Sequence, residues 1–184
     1  MVIFRRLLTF LCLFSVCFAQ HSRKCADVPI KTSDGKTIRV SQYQGKVVMF
    51  VLFSTNCDHC LIMLQLANSM QKEMASHLLQ VVGVVIDDND KNVKPFADRY
   101  RFPFPVGYLA KDPAIQLADL KKDAHPVVPV VIFVDWMGNV RFQYDRKDPI
   151  FDQGEKGIRG IATGLCRQAE SKSPPVYQTA PAAK

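Results

Sequence analysis

The sequence predicts an α/β fold, with a central mixed β-sheet flanked by helices and preceded by a β-hairpin. Three observations carry this. Residues 46–53 (KVVMFVLF), 79–87 (LQVVGVVID) and 129–135 (PVVIFVD) are short, nearly all apolar and rich in β-branched residues, as strands buried on both faces are. Helix-compatible stretches lie between the first run and the second and between the second and the third. Strands that alternate with helices build a sheet covered on both faces. Lastly, Asp34-Gly35 interrupts the alternating stretch VPIKTSDGKTIRV at residues 28–40, a strong hairpin signal.

The elements follow in order. Residues 7–19 form an apolar run of 13 residues behind Arg5 and Arg6; it ends in Cys17-Phe18-Ala19 and a polar QHSRK follows. That is the layout of a secretory signal peptide, and the run is short for a membrane span. Residues 1–19 are therefore expected to be a leader cleaved after Ala19; an uncleaved N-terminal anchor is the alternative. The domain is expected over residues 20–172. After the hairpin and the first strand, residues 58–77 contain neither Gly nor Pro and predict the first long helix. The second strand follows. Residues 90–102 then predict a second helix, with Asp90 as its cap and Pro95 in its first turn. Residues 103–126 predict a loop, with a short helix near Pro113–Leu120. The third strand turns at Trp136–Asn139 into an antiparallel fourth, VRFQY. Residues 156–171 predict a terminal helix weakened by its glycines. Residues 173–184 are a Pro/Ala-rich tail with nothing to bury, expected to be disordered.

Composition narrows the function. The chain of 184 residues suits one domain. Net charge is +7, and losing the leader with its two arginines lowers it by two. The basic residues are spread rather than clustered with aromatics, which reads as a solvated surface and not as a nucleic-acid face. Without the leader, four cysteines remain: Cys25, Cys57, Cys60 and Cys166. An exported chain meets an oxidising compartment, where disulfides persist. Four cysteines allow three pairings. Spacing makes Cys57 and Cys60 the natural local pair. Cys25 and Cys166, near the two ends of the domain, either staple those ends together or stay free.

The chemistry centres on FSTNCDHCLIM, residues 53–63. Cys57 falls where the first central strand gives way to the first long helix, the sheet edge at which open α/β proteins place their sites. A helix N-terminus favours thiolate over thiol, and the thiolate is the nucleophile. Cys60 lies about one turn deeper, within disulfide reach of Cys57. Cys57 is thus the expected attacking thiol and Cys60 the resolving one. A protonated His59 would stabilise the Cys57 thiolate and make the pair more oxidising; Asp58 would pull the other way.

GKVVMFVLFSTNCDHC resembles the active-site strand and helix of the thioredoxin superfamily, and within it the exported branch of the TlpA and ResA proteins. DGKTIRVSQYQGK resembles that branch's N-terminal hairpin. VVPVVIFVDWMGNVRF is similar to its segment of cis-proline, strand, Asp-x-x-Gly turn and strand, with Asp135 and Gly138 at the turn. The resemblance covers about residues 27–168 and implies an exported thiol–disulfide oxidoreductase acting as a protein-disulfide reductase. It implies that Val128 and Pro129 face Cys57 and shape the substrate groove. It implies no cofactor, a protein thiol or disulfide as substrate, and a redox partner that restores the pair. The expected state is a monomer, periplasmic or extracellular. Met63 and Val51 occupy places where relatives carry carboxylates that serve proton transfer, and Asn56 replaces the Trp common before the first cysteine. Proton transfer at Cys60 then falls to water, His59 or another group.

Three rivals share the same residues. A copper chaperone of this fold would add a distant His, for which His125 is the candidate, but such proteins space their cysteines three apart. A peroxidase would need a Pro-x-x-x-Thr-x-x-Cys pattern; the corresponding places hold Phe50 and Ser54. A non-catalytic binding module would keep Cys57–Cys60 as an inert disulfide.

Overall fold

A computed structural model describes residues 22–86, 90–122 and 126–172. The expected leader, the tail and His125 lie outside the described residues. Eight strands form one mixed sheet: β1 (Arg23–Lys24), β2 (Ile30–Thr32), β3 (Thr37–Ile38), β4 (Val47–Phe53), β5 (Leu79–Val85), β6 (Val106–Tyr108), β7 (Val130–Val134) and β8 (Asn139–Tyr144). The helices are α1 (Asp58–Met74), α2 (Val93–Tyr100), α3 (Lys111–Ala118) and α4 (Glu155–Lys172). The order across the sheet is β1-β8-β7-β4-β5-β6-β2-β3.

The centre of the sheet follows from the apolar runs. Every residue of β4 is buried, because α1 and α4 cover one face and α3 the other. Met49, Val51 and Phe53 point to the α1 and α4 side, where Leu64, Ala67, Met70, Ile158, Ala162 and Leu165 meet them. Val48, Phe50 and Leu52 alternate to the other side, against Leu117 and Ala118 of α3 and Ile30 of β2. β5 runs parallel to β4 in register from Val47↔Leu79 to Phe53↔Val85. A parallel neighbour needs a crossover, which α1 supplies. β7 lies antiparallel on the other side of β4, pairing Leu52↔Val130 and Val48↔Val134.

The hairpin of β2 and β3 forms around Asp34-Gly35, with Gly35 at φ 84°. Thr32 Oγ1 donates to Asp34 Oδ1 at 2.5 Å and Lys36 pairs with the same carboxylate at 2.8 Å. The Asp-x-x-Gly turn between β7 and β8 is built by Asp135. This buried carboxylate accepts the N–H groups of Met137 and Asn139 at 3.0 and 2.9 Å, and Gly138 adopts φ 82°.

The structure adds two strands and moves two helix starts. Residues 106–108, expected as loop, form β6 between β5 and β2. Residues 23–24 form β1 against β8. α2 is capped by Asn92 without a side-chain bond, not by Asp90, which opens a 3-10 turn at Asp90–Asn92. α3 begins at Lys111, earlier than Pro113. Among the described residues no helix is long and apolar enough to cross a membrane.

Candidate active site

β4 delivers the chain to the sheet edge at Phe53, and a short turn through Ser54–Asn56 leads into α1. Cys57 is the N-cap of that helix, with φ −113° and ψ 111°. Its sulfur accepts the backbone N–H of Cys60 at 3.1 Å, as an N-cap side chain does for an otherwise unpaired donor of the first turn. Cys57 Sγ thus lies in the field of the helix N-terminus, where negative charge is favoured. Asp58 in the first turn is exposed and also suits that end.

Cys57 and Cys60 form a disulfide with Cα atoms 5.2 Å apart. Their surroundings differ. Cys60 is fully buried against Leu64 and the β4 side chains, whereas Cys57 is partly accessible. An incoming thiolate meets Cys57 first.

The segment 127–129 stands at the same end of the sheet. Because Leu52 pairs with Val130, Val128 and Pro129 lie level with the end of β4. The Val128–Pro129 peptide bond is cis; Pro129 is buried and Val128 half-buried. The carbonyl of Val127 accepts the N–H of Arg146 at 3.0 Å, which ties this loop to the exit of β8. His59 is exposed and shares a groove with Pro129.

Proton-handling groups are sparse near Cys60. Val51 and Met63 are buried, at 0 and 4% exposure, and pack as core. The buried carboxylate among the described residues is Asp135. It follows Val134, which pairs with Val48, so it lies at the opposite end of β4, roughly 15–20 Å from the thiols at ~3.3 Å per residue.

Of the two alternatives for Cys25 and Cys166, a structural staple or free thiols, the structure shows the second: both cysteines are free and buried. Cys25 packs with Val48 and Val140 on the α3 side of the sheet, and Cys166 of α4 packs on the α1 side. The sheet itself separates them. Burial pushes their thiols up, Cys25 to about 11 and Cys166 to about 12, so both are inert protonated side chains at neutral pH.

The peroxidase pattern fails in space as in sequence. Phe50 is buried on the α3 side, away from Cys57. The Ser54 hydroxyl accepts from the Asn56 N–H at 3.4 Å. For metal binding, no group of three His, Cys, Asp or Glu side chains that could hold an ion is found among the described residues. Arg146 and Phe151 join the site from residues that no spacing rule connects to Cys57; only the β7–β8 hairpin brings them there.

A mixed sheet carrying an N-capping CxxC disulfide opposite a cis-proline loop defines a thioredoxin-like protein. A family model described as AhpC/TSA matches residues 22–143, well over half of the chain, and the chain belongs to that family. It is 30% identical over 90 residues to the thioredoxin-like protein YneN of Bacillus subtilis, covering 47% of this chain and 52% of that protein. It is 30% identical over 73 residues to the thiol-disulfide oxidoreductase ResA of Oceanobacillus iheyensis, covering 40% of this chain and 38% of that one. The matched segments thus span about half or less of these relatives. Among solved structures, a thiol:disulfide interchange protein of the thioredoxin family from Chlorobium tepidum superposes with a TM-score of 0.67 at 19% identity, covering 79% of this chain and 97% of that one. The exposed lipoprotein thioredoxin of Streptococcus pneumoniae gives 0.62 at 20% identity, covering 76 and 100%. At these identities the structural likeness establishes the thioredoxin-like fold.

Proposed function

We propose that this protein is an exported thiol–disulfide oxidoreductase that reduces disulfides in protein substrates. The observation that carries the reading is the asymmetry of the pair: an accessible Cys57 at a helix N-terminus joined to a sealed Cys60. In the reduced protein, the Cys57 thiolate attacks one sulfur of a substrate disulfide. That bond breaks, and the leaving sulfur takes a proton. Cys60 then loses its proton and attacks Cys57 Sγ. The second substrate thiol leaves, and Cys57–Cys60 is oxidised. Two electrons pass to the substrate, and an upstream dithiol partner returns two. Val128 and Pro129 are the surface along which an extended substrate segment lies, by strand addition to the loop.

The environment of His59 supports the reducing direction: the side chain is exposed, and a group held in solvent adds little to the thiolate stability that makes a couple oxidising. The proposed setting outside the cytoplasm rests on residues 1–19. Thioredoxin-like relatives are exported in at least one case, the exposed lipoprotein of Streptococcus pneumoniae.

The test is the reduction potential of the Cys57–Cys60 couple in protein lacking the leader and carrying Cys25→Ser and Cys166→Ser. The expected value lies nearer about −270 mV than about −120 mV, the span from reducing thioredoxins to strong oxidants. Cys57→Ser abolishes turnover with a disulfide substrate, and Cys60→Ser accumulates the mixed disulfide. Retained partner affinity with no reversible couple would point instead to a binding module. Uptake of one Cu(I) that His125→Ala abolishes would point to a copper protein.

A further inference from the structure

We propose that the groove beside the thiol pair is a specificity subsite for the polypeptide that carries the target cysteine. It takes an apolar side chain next to that cysteine, and Arg146 reads an acidic residue beside it. This deepens the redox reading above and rests on it.

The groove, of about 450 Å³, opens between α1 and the start of α4. Ile62, Met63 and Leu66 of α1 form one wall; Phe151 and Ile158 face them. Its end is made by His59 and Pro129, so it is continuous with the thiol site. Ile62 is 64% exposed. Among the described residues the other large exposed apolar side chain is Met137, in the turn at the far end of β7. Covering Ile62, Leu66 and Phe151 with one aliphatic or aromatic side chain removes a continuous apolar strip from water.

The rim sets the charge of the occupant. Glu155 is already engaged by Arg159, which also holds Glu73 at 2.5 Å. Arg146 lies over the Phe151 ring at 5.9 Å and takes part in none of the ion pairs found among the described residues. Its guanidinium therefore offers a carboxylate an open fork beside an apolar floor. The backbone N–H of Arg146 donates to the Val127 carbonyl, which ties the residue to the loop that carries Val128–Pro129. Arg146 and Pro129 line the same groove, and the proposed subsite takes the side chains that flank the cysteine of a segment docked at that loop. The occupant is thus an extended stretch of a protein substrate, with an apolar and an acidic residue flanking its cysteine.

The experiment uses the reduced protein and short peptides with a single cysteine, each held as a mixed disulfide with glutathione. The dithiol reduces each to free peptide and glutathione, and stopped-flow traces give the second-order rate constants. Peptides carry Leu-Glu, Ser-Glu, Leu-Lys or Ser-Lys next to the cysteine, on either side. Leu-Glu is expected to react about tenfold faster than Ser-Lys, with the Glu-over-Lys part fading as salt is raised. Ile62→Ser removes the Leu preference; Ile62 is exposed, so the core is untouched. Arg146→Gln removes the Glu preference and leaves the Leu preference standing. Equal rates for all peptides, or preferences that survive in both variants, overturn the subsite while leaving the redox reading intact. No reaction with any peptide or with glutathione disulfide overturns both.

Discussion

Cys57 and Cys60 carry identical side chains, and everything that distinguishes them is environment. The N-cap position gives Cys57 access to solvent and to helix N–H groups, while one turn of helix carries Cys60 under Leu64. Cys25 and Cys166 show the opposite extreme, with thiols that burial keeps protonated. A labelling experiment follows from this contrast. Iodoacetamide added to the native, non-reduced protein without its leader should modify no cysteine rapidly. Denaturation without reductant should expose the two thiols of Cys25 and Cys166, and reduction should add those of Cys57 and Cys60. Mass spectrometry of the alkylated peptides reads the pairing directly, and a Cys25–Cys166 peptide would contradict it. After reduction of the folded protein, Cys57 should be alkylated first.

At the scale of elements, α1 does more than present the thiols. Gln71, buried near its C-terminal end, accepts the N–H of Val81 at 2.6 Å and donates to the carbonyl of Leu79 at 3.3 Å. β6 reaches β5 only from Gly83 onward, so the first part of β5 lacks a strand on that side and the Gln71 amide takes its place. Gln71→Leu leaves those buried backbone groups unpaired and should cost about 1–3 kcal/mol, seen as a lower denaturant midpoint with an unchanged slope. β6 carries its own constraint. A Cβ at Gly107 would lie 2.6 Å from Ile30 Cγ2 and 2.9 Å from the Lys31 carbonyl oxygen. Gly107→Ala should therefore destabilise by about 1–3 kcal/mol through overpacking between β6 and β2. Little loss would mean that β2 moves freely away from β6.

For the whole molecule, the two buried thiols make a statement about alkaline stability. They sit on opposite faces of the sheet, and each face holds one proton more tightly than the unfolded chain does. Folded values of about 11 and about 12 stand above the ordinary 9.0. Below pH 9 both folded and unfolded chains keep these protons, and the stability is whole. As pH rises from about 9 toward 11 and 12, the unfolded chain releases them first, and stability falls. The half-buried phenols of Tyr43 and Tyr144, also raised by partial burial, add to the same decline. Thermal melts between pH 8 and pH 11 should show that fall. The double variant Cys25→Ala, Cys166→Ala should have a shallower slope, whatever its stability at pH 8. An unchanged slope would show that the thiols are not its source.

The sequence by itself determined the three central strands, the hairpin, the first long helix and the place of the thiol pair. Those features depend on local composition: β-branched apolar runs must be buried, Asp-Gly turns tightly, and a residue at a strand-to-helix junction becomes an N-cap. It also showed that Val51 and Met63 supply no carboxylate. Only the tertiary structure decided the rest. β6 has three residues after two prolines and includes a glycine, so nothing local favours a strand; its neighbours β5 and β2 supply the pairing. For Cys25 and Cys166, near the two ends of the domain, the sequence leaves both a staple and free thiols open, because sequence position says nothing about which face of the sheet a side chain takes. Arg146, Phe151 and Ile62 meet only because β8 returns the chain to the edge where α1 begins. Contacts between residues so far apart in sequence are fixed by strand order and register, which no local pattern encodes.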